Sequence, residues 1–104
     1  MAYYEAMRKH DAVAASRAQA DAVKALGATS LYLFGSMVRD DAGPGSDIDL
    51  FIDYDRNSRL SLIELVGIGQ LLEHRLGVPV DVTTRDSLDP LLRDRIEASA
   101  ERIF

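Results

Sequence analysis

The chain has 104 residues, 47% hydrophobic and 28% charged, which is the composition of one globular domain around a single modest core. A net charge of −5 with no basic tract argues against a general nucleic-acid binder. The absence of cysteine excludes disulfide scaffolds, thiol nucleophiles and thiolate zinc sites, and the two histidines, His10 and His74, are far apart. Twelve of the seventeen acids are aspartates, so oxygen-ligand chemistry is what remains to be traced.

The first ten residues lack the apolar stretch of a secretory signal, and no run approaches the roughly 20 apolar residues of a membrane span. A cytoplasmic protein without membrane association is expected, organised as one domain over residues 1–104. Residues 5–26 read as a helix with a weak stripe of Val13, Ser16, Ala20 and Val23, stopped at Gly27; Asp11 is an alternative N-cap. The short apolar run 31–34 reads as a buried strand that ends at Gly35-Ser36. A polar connection over 37–46 contains the breaker Gly43-Pro44-Gly45. Residues 47–53 alternate acid and apolar at their start, which is the strand period.

Residues 60–76 form the clearest helix. Ser61 and Glu64 have the capping-box spacing, with Leu60 and Leu65 placed to staple the first turn, and Gly77 ends it. Ile63, Val66, Gln70 and Glu73 track one face, which Leu62, Leu65, Leu72 and Leu76 widen; Gly67 and Gly69 are expected to allow close approach to a sheet. Residues 78–84 read as a third strand, with Pro79 near its start. Asp89 as N-cap and Pro90 at the first helical position open a last helix with Leu92, Ile96, Ala100 and Ile103 on its apolar face. The order predicts a small α+β or α/β unit with three strands.

Strand alternation puts Asp47 and Asp49 on one face and Ile48 and Leu50 on the other. Two carboxylates so placed repel each other and invite a cation, and an all-oxygen set suits Mg²⁺. Asp81, between Val80 and Val82, is a misfit in an apolar strand unless it faces a site. If its strand lies beside the second one, three carboxylates meet at one edge. Taken alone, Asp47 reads as a cap or turn residue and Asp49 as part of a solvated strand face. Asp53 and Asp55 read as a solvated strand end, and Asp86 and Asp89 as turn and cap residues. Gly35-Ser36 offers the unhindered N–H groups and hydroxyl that a phosphate needs, although a lone Gly-Ser is also an ordinary turn. Arg39 reads either as a fork donor to that phosphate or as a solvated charge. Their combination is more informative: Gly-Ser after an apolar strand, ten intervening residues, Ser46, then Asp-x-Asp opening another strand.

The stretch G-S-M-V-R-D-D-A-G-P-G-S-D-I-D-L-F-I resembles the signature of the DNA polymerase β-like nucleotidyltransferase superfamily. Its spacing and the small size are similar to the minimal nucleotidyltransferases, the MNT proteins paired with HEPN toxins. The resemblance implies an α+β fold, a small mixed β-sheet with helices packed against it. It implies that Asp47 and Asp49 bind Mg²⁺, with Asp81 as third catalytic carboxylate and metal ligand, and that Gly35 and Ser36 hold the triphosphate, with Arg39 and Ser46 on the nucleotide side. Two Mg²⁺ ions bridged by these carboxylates suit an in-line displacement.

The implied reaction is transfer of AMP from ATP, with release of pyrophosphate, to a tyrosine of a partner HEPN toxin, the chain acting as antitoxin. Many members have a basic residue directly after Gly-Ser and a glycine after the arginine; here Met37 and Asp40 stand there. Two alternatives remain: an antitoxin that neutralises by binding alone, and the catalytic subunit of a small-molecule nucleotidyltransferase. A chain this short is expected to borrow its acceptor from another protein, with Tyr3 and Tyr4 as candidate contacts.

Overall fold

Period-two alternation after Asp47 builds the central strand, and the rest of the sheet is laid down on either side of it. The computed structural model describes residues 8–39, 47–58 and 60–104. The elements are helices α1 (Lys9–Arg17) and α2 (Ala20–Ala25), strand β1 (Ala28–Phe34), a 3-10 turn (Gly35–Met37), β2 (Ile48–Tyr54), α3 (Leu62–Leu76), β3 (Val80–Thr84), a second 3-10 turn (Arg85–Ser87), α4 (Arg93–Ser99) and β4 (Glu101–Arg102). The strands form one mixed sheet in the order β3-β2-β1-β4. β1 runs antiparallel to both β2 and β4, and β2 runs parallel to β3. This is the α+β architecture expected from the sequence, with a fourth strand that the three-strand reading lacked.

Register sorts the side chains onto two faces. Leu31 lies opposite Ile52, Leu33 opposite Leu50, and Ile48 opposite Val80. These residues form the main core with Ala12, Val23, Ile68, Leu72 and Leu76 from the three helices. The other face carries the pairs Asp49–Asp81, Phe51–Tyr32, Asp53–Ser30 and Tyr32–Arg102. Phe51 is fully buried on that face. Tyr32 stacks on it at 4.8 Å between ring centroids, Phe34 tilts against it at 5.7 Å, and the Arg85 guanidinium covers it at 4.9 Å.

Several expectations are corrected. The single helix over 5–26 is two helices broken at Ala18 and Gln19, because α1 packs on α3 while α2 packs on β1. In α3 the capping box of Ser61 and Glu64 is present, and Gly77 closes the helix at φ +73° with its N–H donating to the Glu73 carbonyl at 2.8 Å. The buried stripe, however, is Ile68, Leu72 and Leu76, not the face through Ile63, Val66 and Glu73. Leu62, Ile63 and Val66 are 74%, 82% and 49% exposed. A Cβ at Gly67 or Gly69 would stand 3.8 Å from its nearest neighbour, ordinary contact distance, so neither glycine is required for packing on the sheet.

Asp89 does not cap the last helix. Its carboxylate accepts the Leu91 N–H and its carbonyl the Leu92 N–H, both at 2.9 Å, making a turn before α4 begins at Arg93. Extended backbone at Ala100 (φ −66°, ψ 147°) then ends the helix. Ile103 therefore returns to the sheet, where its N–H donates to the Leu31 carbonyl at 2.8 Å. Tyr3, Tyr4, Asp40, Ser46 and the Gly43-Pro44-Gly45 breaker lie outside the described residues. No helix among the described residues is long and apolar enough to cross a membrane.

Candidate active site

The acids gather where the parallel strands β2 and β3 begin and the antiparallel β1 ends. Asp49 lies in register with Asp81 on one side and with Phe34 on the other. In-register neighbours on adjacent strands share a face, so the carboxylates of Asp49 and Asp81 stand side by side. Asp47, exposed, directly precedes β2 two residues from Asp49. Asp49 itself is half-buried beside the turn that follows β1.

Gly35 makes that turn possible. Its φ of +80° is in the left-handed region, and a Cβ there would overlap the Asp49 Oδ2 and stand 3.3 Å from the Asp49 Cβ and Cγ. The backbone of the turn is thus laid against a candidate carboxylate, an approach only glycine permits. Ser36 follows, half-buried, and Met37 is 5% exposed and packs into the core, so it anchors the turn from beneath. The departure at this position from a basic residue therefore has a packing role. Arg39 is exposed just beyond, where its charge acts on Asp49.

The electrostatics identify Asp49 as the stressed member. Burial pushes its pKa above the ordinary value of 3.8, Asp81 and Asp47 push it further, and Arg39 partly offsets them. Such a group is relieved by a proton or by a metal cation. The donor set is all oxygen, three acids coupled in charge, and so fits a hard divalent ion that keeps waters and substrate oxygens among its ligands. Among the described residues no three His, Asp or Glu side chains already converge on one ion position. Asp47 and Asp81 are both exposed, and the three carboxylates are held together by strand register, not by contact.

A cleft of about 600 Å³ opens from the turn toward α4, lined by Phe34, Gly35, Arg39, Leu92, Arg95, Ile96 and Ser99. It combines two cations with an apolar wall and adjoins Asp49 through Gly35.

A second polar cluster, at the opposite end of β2, was not legible in the sequence. Arg85 makes a fork to Asp53 (2.7 and 3.0 Å) and a third bond to Glu97 (2.8 Å), while its plane covers Tyr32 and Phe51. Asp53 is thus an ion-pair member, not a solvated strand end. Asp86 keeps its turn role: it accepts the Thr84 hydroxyl at 2.5 Å and the Tyr54 hydroxyl at 2.8 Å, which hold its carboxyl below the usual range. Arg85 ties α4 to the sheet, so its function is structural. Arg85→Met should cost about 1.5–3 kcal/mol in denaturant unfolding, the range for hydrogen bonds to charged groups.

The sequence profile of the nucleotidyltransferase domain family matches residues 16–103. A candidate protein adenylyltransferase of Methanocaldococcus jannaschii is 42% identical over 64 residues, covering 62% of this chain and 67% of that protein. The solved structure of a candidate minimal nucleotidyltransferase superimposes with a TM-score of 0.78 at 28% identity, over 94% of this chain and 98% of that one. A chain from the complex of a tri-AMPylated Shewanella oneidensis HEPN toxin with an MNT antitoxin aligns with a TM-score of 0.62 at 18% identity, over 88% of this chain and 71% of that one, a likeness of fold.

Proposed function

Because the chain belongs to the nucleotidyltransferase domain family, a family of enzymes, we propose that it is a Mg²⁺-dependent protein adenylyltransferase that moves AMP from ATP to a hydroxyl, a tyrosine, of a HEPN-family toxin. It acts in this way as the antitoxin of a pair. The M. jannaschii relative carries the adenylyltransferase name, and the fold is shared with a chain of the AMPylated toxin complex. The observation that carries the reading is Asp49, set in register with Asp81 and faced by the side-chain-free turn at Gly35.

In the proposed reaction the acceptor oxygen bonds to the α-phosphorus, the bond from that phosphorus to the bridging oxygen breaks, and pyrophosphate leaves. Asp47 and Asp49 would hold Mg²⁺, as two ions, with Asp81 completing one of the sites. Bound Mg²⁺ supplies charge neutralisation at the attacking and leaving oxygens. The residues of the chain do the positioning. Gly35 and Ser36 present backbone N–H groups and a hydroxyl to the β- and γ-phosphates; Ser46 is the further nucleotide-binding residue proposed from the sequence. Arg39 adds a fork of donors. Asp81, the exposed carboxylate, takes the proton of the acceptor hydroxyl. The cleft toward α4 has room for the nucleoside, with Phe34 and Ile96 as its apolar wall.

Incubation with a HEPN-family partner, Mg²⁺ and ATP labelled at the α-phosphate should label a partner tyrosine; label at the γ-phosphate should not transfer. Chelation by EDTA should abolish transfer. If a folded partner acquires no α-label on any hydroxyl, the reading fails.

A further inference from the structure

The sheet edge beside the acids carries a surface that nucleotide binding does not use. β3 is an edge strand. The Ile48 N–H donates to the Pro79 carbonyl at 3.0 Å, and the alternation of a parallel ladder then turns Asp81 and Thr83 inward to β2, and the N–H and C=O of Val80 and Val82 outward. The outward N–H of Val80 is taken by the Glu73 carboxylate at 3.1 Å. Among the described residues the outward N–H and C=O of Val82 meet no partner, which leaves them to water or to another chain. Along this edge runs a groove of about 270 Å³ between β3 and α3, walled by Leu62, Leu65, Val66 and Val82, with Asp81 at its rim. The exposed Leu62, Ile63 and Val66 are the residues whose burial the sequence anticipated and the fold withholds.

We propose that the AMP acceptor docks here as an extended, cationic segment paired with β3 at Val82, with its hydroxyl residue flanked on both sides by apolar residues. The proposal rests on the adenylyltransferase reading and names how the acceptor reaches that site. Side chains of an added strand alternate between faces. The one beside Asp81 stands on the face shared with Asp49; its two neighbours stand on the α3 face and enter the groove. Asp81 belongs to both surfaces, so docking and chemistry are continuous.

Charge selects the partner. Glu73 lines the groove outside the proposed metal set, in a chain of net charge −5, which favours a cationic segment. A second copy paired edge to edge through β3 would set Asp81 and Glu73 of both copies on one seam, an unfavourable arrangement.

The test uses the complex of the chain with its HEPN-family partner. The double variant Leu62→Asp, Val66→Asp changes exposed groove residues outside the proposed catalytic set. Its KM for the protein acceptor should rise about tenfold or more, equivalent to losing one strong interface anchor, while KM for ATP and binding of a fluorescent ATP analogue stay at parental values. A photo-crosslinking residue at Leu62, which lines the groove and is exposed, should capture a partner segment with a hydroxyl residue between apolar ones. Parental acceptor KM in the double variant overturns the docking proposal. So does a cross-link only to a second copy, to a segment without that pattern, or to no partner at all. If the cross-link forms in that segment but the partner is never AMP-labelled, the adenylyltransferase reading falls and the docking surface stands. Labelling that is indifferent to the groove variant gives the reverse.

Discussion

Asp49→Asn should lower AMP transfer at least about 10²-fold, the scale for deleting one electrostatic partner of a transition state, and yet melt at a higher temperature than the parent at neutral pH without Mg²⁺. Both effects come from the same physics. Burial, Asp81 and Asp47 raise the Asp49 pKa above 3.8 in the folded chain. The folded state therefore binds more protons than the unfolded state between the ordinary value and the raised one. Stability is highest below the ordinary value, falls as pH rises through the folded value, and stays lowered above it. The amide keeps the shape and removes that cost. The difference in melting temperature between variant and parent should be a plateau at neutral pH and should vanish as pH falls below about 4. Mg²⁺ should raise the melting temperature of the parent and leave the variant nearly unmoved. Thermal melts across pH, with and without Mg²⁺, read both; equal melting temperatures at every pH would show that the acids do not strain the fold.

Among the described glycines, Gly35→Ala is expected to be the most damaging substitution. A left-handed φ at a non-glycine residue costs about 1–3 kcal/mol, and at φ +80° the new Cβ would also overlap the Asp49 carboxylate. Each kcal/mol corresponds to about 4–8 °C of melting temperature in a domain near this size. Transfer should fall with stability, because the turn and Asp49 must part. Gly67→Ala is the control: the same methyl, at ordinary contact distance inside a helix, gains up to about 1 kcal/mol of propensity. Pairing Gly35→Ala with Asp49→Ala separates the two causes. The overlap with the carboxylate disappears in the double variant, while the tight contact with the residue 49 Cβ and the backbone cost stay, so the two effects should not add. Full additivity would mean that the carboxylate is not what the glycine makes room for.

Legibility in the sequence was uneven for physical reasons. Ser61, Glu64 and Gly77 act within one or two turns of their own helix, so spacing alone reveals them. The α3 face was misread because Leu62, Ile63, Leu65, Val66 and Ile68 run nearly around the helix, and several stripes satisfy the period. Only the sheet decides which stripe is covered. Asp53 looked solvated because its partner, Arg85, is 32 positions away in the chain, and the second acid on that guanidinium, Glu97, is 12 positions further on. Ile103 fitted a helical stripe, but the chain turns at Ala100 to add β4 beside β1, and a two-residue strand has no period to detect.

The sequence by itself determined the local chemistry: an all-oxygen donor set, Asp47 and Asp49 two positions apart, and a glycine-serine turn at the end of an apolar strand. Each depends on neighbours a few bonds away. Tertiary structure alone decided that β3 lies parallel to β2 in the register that sets Asp81 beside Asp49, and that the Gly35 backbone closes on that carboxylate. It also decided that Leu62, Ile63 and Val66 stay exposed at the edge where Asp81 stands. The physical reason is strand register: a shift of one residue in β3 would carry Asp81 to the opposite face, and that register is set by burial of Val80 and Val82 against α3 and the core.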